Sequence, residues 1–272
     1  MVIVRKGMVH LLLIAGAIIM VTPFLWMVTT SLKTYLESMQ IPPTIWPETW
    51  RFDNFARVFE SADFLRYYAN TIFVTVLRTG AQLFLCSMAA YAFARLNFPF
   101  KNTLFLLMLS VLMVPMQVIL IPNYALLAQL GWIDTFYALI VPGMFSAFGV
   151  FLLRQFFMGI PKELDEAAIM DGCTHWGIYW RIILPNAKPA LVALAIFTVL
   201  AAWNDFLWPL VMTNSADMRV LSVGIANFEG QYSTEYPLLM AAALMSTVPM
   251  LLMFLFLQKH LIAGIALGGV RR

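Results

Sequence analysis

Pro161-Lys162-Glu163-Leu164-Asp165-Glu166-Ala167-Ala168-Ile169-Met170-Asp171-Gly172 is a polar island in a chain otherwise suited to lipid, and Ile182-Ile183-Leu184-Pro185 follows after nine more residues. Pro161 suits the first turn of a helix, where its missing N–H would have no intrahelical partner anyway. Glu163, Asp165 and Glu166 set negative charge at the positive end of the helix dipole, and Gly172 can supply a left-handed stop. Leu164, Ala167, Ala168 and Asp171 share one face by their spacing. Two alanines on that face let another surface approach closely, and the acids invite basic partners. The pattern predicts a short docking helix; a solvated turn between helices is the plainer alternative.

Thr174 opens a second segment in which Trp176, Tyr179, Trp180 and Ile183 recur at helical spacing. Aromatics of this kind favour the headgroup layer, so the segment is expected to lie flat under the membrane. Pro185 is expected to end it and Pro189 to begin the next span. Residues 159–189 thus read as a rigid elbow joining a docking helix to a membrane helix.

Around the island the chain is 62% hydrophobic and 11% charged over 272 residues, with mean hydropathy +0.83. Soluble domains carry about 25% charged residues, so a bilayer must act as the solvent. Six stretches are long enough for the roughly 20 apolar residues a span needs: about 8–30, 69–94, 104–127, 136–158, 190–212 and 238–261. The first follows Arg5 and Lys6 as a signal peptide would. Its apolar run is too long and no A-x-A-like site follows, so it reads as an uncleaved anchor.

Lys and Arg counts set the orientation. Eleven lie on one side (Arg5, Lys6, Arg95, Lys101, Arg154, Lys162, Arg181, Lys188, Lys259, Arg271, Arg272) and five on the other (Lys33, Arg51, Arg57, Arg66, Arg219), with Arg78 inside a span. The expectation is an all-α membrane protein of six transmembrane helices, both termini cytoplasmic, in one domain over residues 1–272 with its core at about 69–262. The net charge of +3 expresses this bias; no basic, aromatic groove for nucleic acid is present.

In the outer loop, residues 31–68, Ile41-Pro42-Pro43 and Trp46-Pro47 force an extended path. Phe55, Val58, Phe59, Ala62 and Leu65 then recur near helical spacing, which gives either a short surface helix or a loop packed on the bundle. Polar groups inside spans default to function. Arg78 and Asp205 both fall on the order of 11 Å below the outer ends of their spans, which allows an ion pair between them. Trp203-Asn204-Asp205 combines an aromatic face with amide and carboxylate groups, the set that binds sugars; Gln117, Asn123 and Tyr124 are further pathway candidates. Pro115 and Pro122 interrupt the third span, with Pro142, Pro209 and Pro249 elsewhere, as kinks for packing or as breaks around a cavity. The outer loop 213–237, with Asn214, Asn227, Glu229, Gln231 and Tyr232, is long enough to touch a docked partner. Cys86 and Cys173 read as inert thiols, and the 18 methionines as apolar packing, not a metal site.

The pattern Glu166-Ala167-Ala168, Gly172, Ile182-x-Leu184-Pro185, with Asp171 before the glycine, resembles the EAA loop of permease subunits in bacterial ABC importers. Residues 89–95 (AAYAFAR), Ile121-Pro122, Phe156-Phe157 with Ile160-Pro161, Trp203-Asn204 and the tail Leu261-Ile262-Ala263-Gly264 are similar to the carbohydrate branch and its maltose-type second permease. The resemblance runs from about residue 68 to 272 and implies the type I ABC importer permease fold in the cytoplasmic (inner) membrane. It implies that residues 162–172 form a coupling helix seated in an ATP-hydrolysing subunit, with Ile182, Leu184 and Pro185 in the same coupling loop. It further implies a homologous second permease, an ATPase dimer binding ATP and Mg, and an extracytoplasmic solute-binding protein, this subunit itself being non-catalytic. In keeping with that, the sequence holds no G-x-x-x-x-G-K-[ST] phosphate loop. The implied solute is a sugar or polyol, with a glycerophosphate as the alternative. An ion-coupled secondary transporter would need intramembrane carboxylates beyond Asp205 or a repeat, and a purely structural membrane protein would leave the docking loop unexplained.

Overall fold

The computed structural model describes residues 2–61, 63–226, 228–229 and 234–269. They are helical almost throughout, and a lone bridge between Glu229 and Thr234 is the only β pairing among them. The expected all-α class is therefore what the chain adopts. Two compact units are formed, Met1–Arg66 with Val223–Met250, and Tyr67–Ser222 with Leu251–Arg272.

The first unit begins with α1 (Val2–Ser31). Leu11, Ile19 and Met20 stand exposed along it, an arrangement stable against lipid or another apolar surface but not against water. The outer loop that follows is more tightly tied than its prolines suggest. Thr34 caps α2 (Tyr35–Ser38) through a reciprocal capping box with Glu37. The buried Lys33 ammonium donates to the Thr44 carbonyl and lies 4.7 Å from the Trp26 ring centroid. Asn54 Nδ2 donates to the carbonyls of Ser31 and Lys33 at 2.9 Å each. Asn54 also opens α3 (Asn54–Ser61), so the surface-helix alternative holds over a shorter range. Val58 is its fully buried residue. Leu65 belongs to the next helix, α4 (Phe64–Arg95), and Ala62 lies outside the described residues.

Most of α4 belongs to the second unit; it is one continuous helix of 32 residues or about 48 Å, well beyond a hydrocarbon core of about 30 Å. The expected third span is not straight. Between α5 (Lys101–Ser110) with its 3₁₀ extension to Met113 and α6 (Met116–Gln129) the axis turns by 100°. Val114 sits in the extended region, as a residue before proline prefers, and Pro115 follows it. Pro122 lies inside α6 and does not end it.

The fourth span is α7 (Phe136–Ile140), a 3₁₀ turn Val141–Gly143, and α8 (Ala147–Met158), whose cap Ser146 accepts from Gly149 N at 3.2 Å. After α9 (Glu163–Met170), α10 (His175–Ile178) runs through a π turn, Tyr179–Ile183, into α11 (Leu184–Asn186). The π turn accommodates Pro185, which therefore does not end the segment. The chain turns by 77° before α12 (Lys188–Trp203). The expected fifth span, 190–212, breaks at residues 204–206 before α13 (Leu207–Met212). Pro209 would clash with the Asp205 carbonyl in a continuous helix. After this, α14 (Leu221–Ala226) and α15 (Tyr236–Gly269) are the remaining α-helices among the described residues. Among the described residues four helices are long and apolar enough to cross a membrane, or up to six spans if each bent pair counts as one.

The core of the second unit gathers Cys86, Ala90 and Tyr91 of α4 against Phe105, Val150, Leu153, Phe157, Ile178, Tyr179, Ile183 and Leu194. The cytoplasmic elbow thus packs directly on the half of α4 that precedes Arg95.

Candidate functional site

The cytoplasmic helix α9 forms where the sequence places it, with Glu163, Asp165 and Glu166 in its first turn. Lys162 caps it, so Pro161 stands one residue outside the helix instead of inside its first turn. Gly172 has φ +79°. Its N–H donates to Ile169 O at 2.9 Å and that of Cys173 to Ala168 O at 2.8 Å, the paired bonds of a Schellman stop.

The shared face does not stay together. Ala168 turns inward and is buried in the core, while Glu163, Leu164, Glu166, Ala167 and Asp171 remain exposed. Asp165 is paired within the chain: its Oδ2 lies 3.0 Å from Arg95 Nε, with 15% and 4% of the two side chains exposed. The pair is close but poorly aligned, since Arg95 Nε and Asp165 Oδ1 have no hydrogen-bond partner. Burial raises the Asp165 carboxyl above its ordinary value and outweighs the opposing attraction of Arg95.

Further ties fix the elbow. Arg95 donates to Ile160 O at 2.7 Å, Arg154 Nε to Phe93 O at 3.2 Å, and Thr174 Oγ1 accepts from Gly177 N at 3.3 Å. Of the four aromatic-spaced residues, Trp176 and Trp180 are exposed but Tyr179 and Ile183 are fully buried. The Tyr179 hydroxyl lies 2.7 Å from Ser87 Oγ. The segment therefore presents only one side to a headgroup layer, and its other side is core. Ile182 and Leu184 are half-buried against that core, and Pro185 is exposed.

Within the spans the expected ion pair is present. Arg78 Nη1 donates to Asp205 Oδ2 at 3.0 Å, with 17% and 16% of the side chains exposed. Because α4 starts at Phe64, Arg78 is the fifteenth of its 32 residues and lies near mid-helix. Asn204 Nδ2 donates to Leu200 O at 2.9 Å and closes α12. Trp203 is buried, its ring 6.2 Å from that of Tyr68. Residues not foreseen complete the cluster: Gln82 Nε2 donates to Gly143 O at 2.7 Å, and Thr198 Oγ1 donates to Gln82 Oε1 at 2.9 Å. The available signal was Gln82 one turn beyond Arg78 in an apolar run. Gln117 and Tyr124 are exposed and Asn123 half-buried on α6, and among the described residues none hydrogen-bonds to this cluster. A largely apolar cavity of about 470 Å³ is lined by Phe73, Leu77, Phe136, Tyr137 and Met144, with Asp134 and Thr135 also in its wall.

On the outer side Asp134, at φ +61°, fastens the loop after α13. Its Oδ1 accepts from Asn214 N, Ser215 N and Ser215 Oγ at 2.9, 3.0 and 3.0 Å. Burial would raise this carboxyl, but these bonds prevail and hold it below its ordinary value. Asn227, Gln231 and Tyr232 of the same outer segment lie outside the described residues. Among the described residues no group of three His, Cys, Asp or Glu could hold a metal.

The family model for the binding-protein-dependent transport system inner membrane component matches residues 82–266. The chain is 37% identical over 258 residues to the arabinooligosaccharides transport system permease protein AraQ of Halalkalibacterium halodurans, covering 94% of this chain and 92% of that protein. It is 32% identical over 266 residues to the diacetylchitobiose uptake system permease protein NgcG of Streptomyces coelicolor, covering 96% and 88%. In fold it is similar to a chain of a bacterial ABC transporter involved in the import of the acidic polysaccharide alginate, with a TM-score of 0.83 over 94% and 96% of the two chains at 23% identity. By sequence along nearly its whole length, this chain belongs to the inner-membrane components of binding-protein-dependent transport systems.

Proposed function

We propose that this chain is one transmembrane subunit of an ATP-driven importer that moves an oligosaccharide or related sugar by alternating access. It would work with a homologous second permease, an ATPase dimer that binds ATP and Mg, and an extracytoplasmic solute-binding protein. The observation that carries this reading is α9, an acidic helix with an exposed outer face, bound to α4 by Asp165–Arg95 and followed by an elbow bound to α4 by Tyr179–Ser87. A helix so fixed transmits displacement as a rigid-body shift, because its ties join it to a continuous helix and not to a flexible linker. Glu163, Glu166, Ala167, Asp171 and Gly172 would meet the ATPase, with Ala168, Ile182 and Leu184 supporting them from the core side and Pro185 exposed in the same loop.

The sugar class is inferred from the transport names of the relatives. Asp205 is the only carboxylate in the expected spans, and its pairing with Arg78 leaves no free carboxylate there to carry a coupling proton. This weighs against ion-coupled transport. The test is reconstitution in proteoliposomes with ATPase, second permease and binding protein. Uptake that requires ATP and the binding protein is expected; uptake by this chain alone, without nucleotide, would overturn the proposal.

A further inference from the structure

Gly143 lies in the 3₁₀ turn that interrupts the fourth span, directly under the Arg78 guanidinium. A Cβ placed there would stand 2.1 Å from Arg78 Nε and 2.6 Å from Cζ and Nη2, and these three are its nearest neighbours. No side chain fits while Arg78 keeps its position. The carbonyl of the same glycine accepts from Gln82, which Thr198 of α12 orients in turn. Arg78 is thus seated on one helix break and its partner Asp205 sits in another, between α12 and α13.

Asp205 is also wired outward. Its backbone carbonyl accepts from Ser222 Oγ at 2.6 Å. Ser222 ends an outer segment anchored on α4: Asn70 Nδ2 donates to the carbonyls of Asp217 and Arg219 at 2.8 Å each, and Leu221 N donates to Thr71 Oγ1 at 2.8 Å. A pull on residues 217–222 would reach the ion pair through a single residue.

We propose that Gly143 and Gln82 are positioning residues that hold Arg78 against Asp205, so that the pair clasps the α12–α13 break to α4 until docking of a solute-loaded binding protein on the outer segment releases it. The inference rests on the importer reading given above. A clasp of this kind keeps the resting transporter from cycling. Loosening it therefore has a signature that loss of packing lacks: ATP hydrolysis that no longer waits for the binding protein.

The experiment compares parent, Gly143→Ala, Gly80→Ala, Arg78→Ala and the double variant Gly143→Ala/Arg78→Ala in the reconstituted importer. Gly80 is the control, on α4 two residues after Arg78, with nothing within 4 Å of an added Cβ. Gly143→Ala should raise ATPase activity without binding protein several-fold and lower solute moved per ATP, while Gly80→Ala behaves as the parent. In the Arg78→Ala background the Gly143 change should add nothing. Should Gly143→Ala fail to assemble, the double variant should recover assembly, because the atoms that clash are gone. The clasp is overturned if Gly143→Ala matches the parent in both readouts, or if it adds as large a defect in the Arg78→Ala background as it does in the parent. A parent importer whose ATPase ignores the binding protein would instead sink the importer reading itself.

Discussion

Arg95 and Asp165 supply a quantitative check on how the elbow is held. Removing one member of a fully buried ion pair costs about 3–5 kcal/mol, because the other charge is stranded. Here the side chains are 4% and 15% exposed at the cytoplasmic end of α4, so the lower end applies, and the two losses should differ. A stranded guanidinium stays charged, whereas Asp165 already has its carboxyl raised by burial and can neutralise. We expect about 2–3 kcal/mol for Asp165→Leu, about 1–2 for Arg95→Met, and about 1 for the double change, in which neither charge remains. The resulting coupling of about 2–4 kcal/mol is measured as differences in thermal unfolding of the purified chain in one detergent.

The pH response of the same pair has a definite sign. A raised carboxyl contributes stability below its ordinary value of 3.8, and that contribution is lost as pH rises through the raised value. Acidification toward 3.8 should therefore stabilise the parent relative to Asp165→Asn. A protonated carboxyl still offers Arg95 an oxygen, which leucine does not. Strictly additive single losses, or an acid-induced loss specific to the parent, would refute this account.

Gly172→Val should weaken ATPase co-purification by a factor of about 5–30, from the roughly 1–2 kcal/mol of left-handed strain. Nothing lies within 4 Å of its added Cβ, so Gly172→Asn should be much milder; equal defects would point to sterics instead. Tyr179→Phe and Ser87→Ala should each cost about 1–2 kcal/mol in thermal unfolding by orphaning a buried hydroxyl, and the double change should cost less than their sum. Asp134→Ala should expose the Arg219 peptide bond to trypsin, while Asp134→Asn, which keeps the acceptor and tolerates positive φ, protects it. Because the Asp134 carboxyl is held low, its stabilisation is present above the ordinary 3.8 and fails only as pH falls through the lowered value. Loss of protection already at about pH 5 would contradict the three-bond clip.

The span count, the position of α9, its glycine stop and the Arg78–Asp205 pair were legible because each depends on local spacing or on the expense of charge in lipid. What stayed hidden depends on which of several equivalent signals prevails. Pro115 and Pro122 look alike in sequence, yet only Pro115 breaks the third span, since tertiary packing decides which freed carbonyl finds another partner. Ala167 and Ala168 look alike too, and only the core shows that Ala168 faces in. Gly143 gave no signal at all. Its significance is a contact with a residue 65 positions away, and no helical periodicity encodes that.

The polar residues of α4 show why so few ties can specify the bundle. Thr71, Thr75, Arg78 and Gln82 follow one another at spacings of four, three and four, which places them on one helix face. Three of them hold different elements: Thr71 the outer segment, Arg78 the α12–α13 break, and Gln82 both Gly143 and α12. Ser87 and Arg95 continue the series to the elbow and α9. In lipid, apolar side chains gain little by choosing a protein neighbour over an acyl chain, so position must come from close packing and polar bonds. A single unbroken helix carrying these ties becomes the reference against which the broken spans move. Displacement of α9 and displacement of the outer segment are then both registered on α4, which is what coupling between the two sides of the membrane requires.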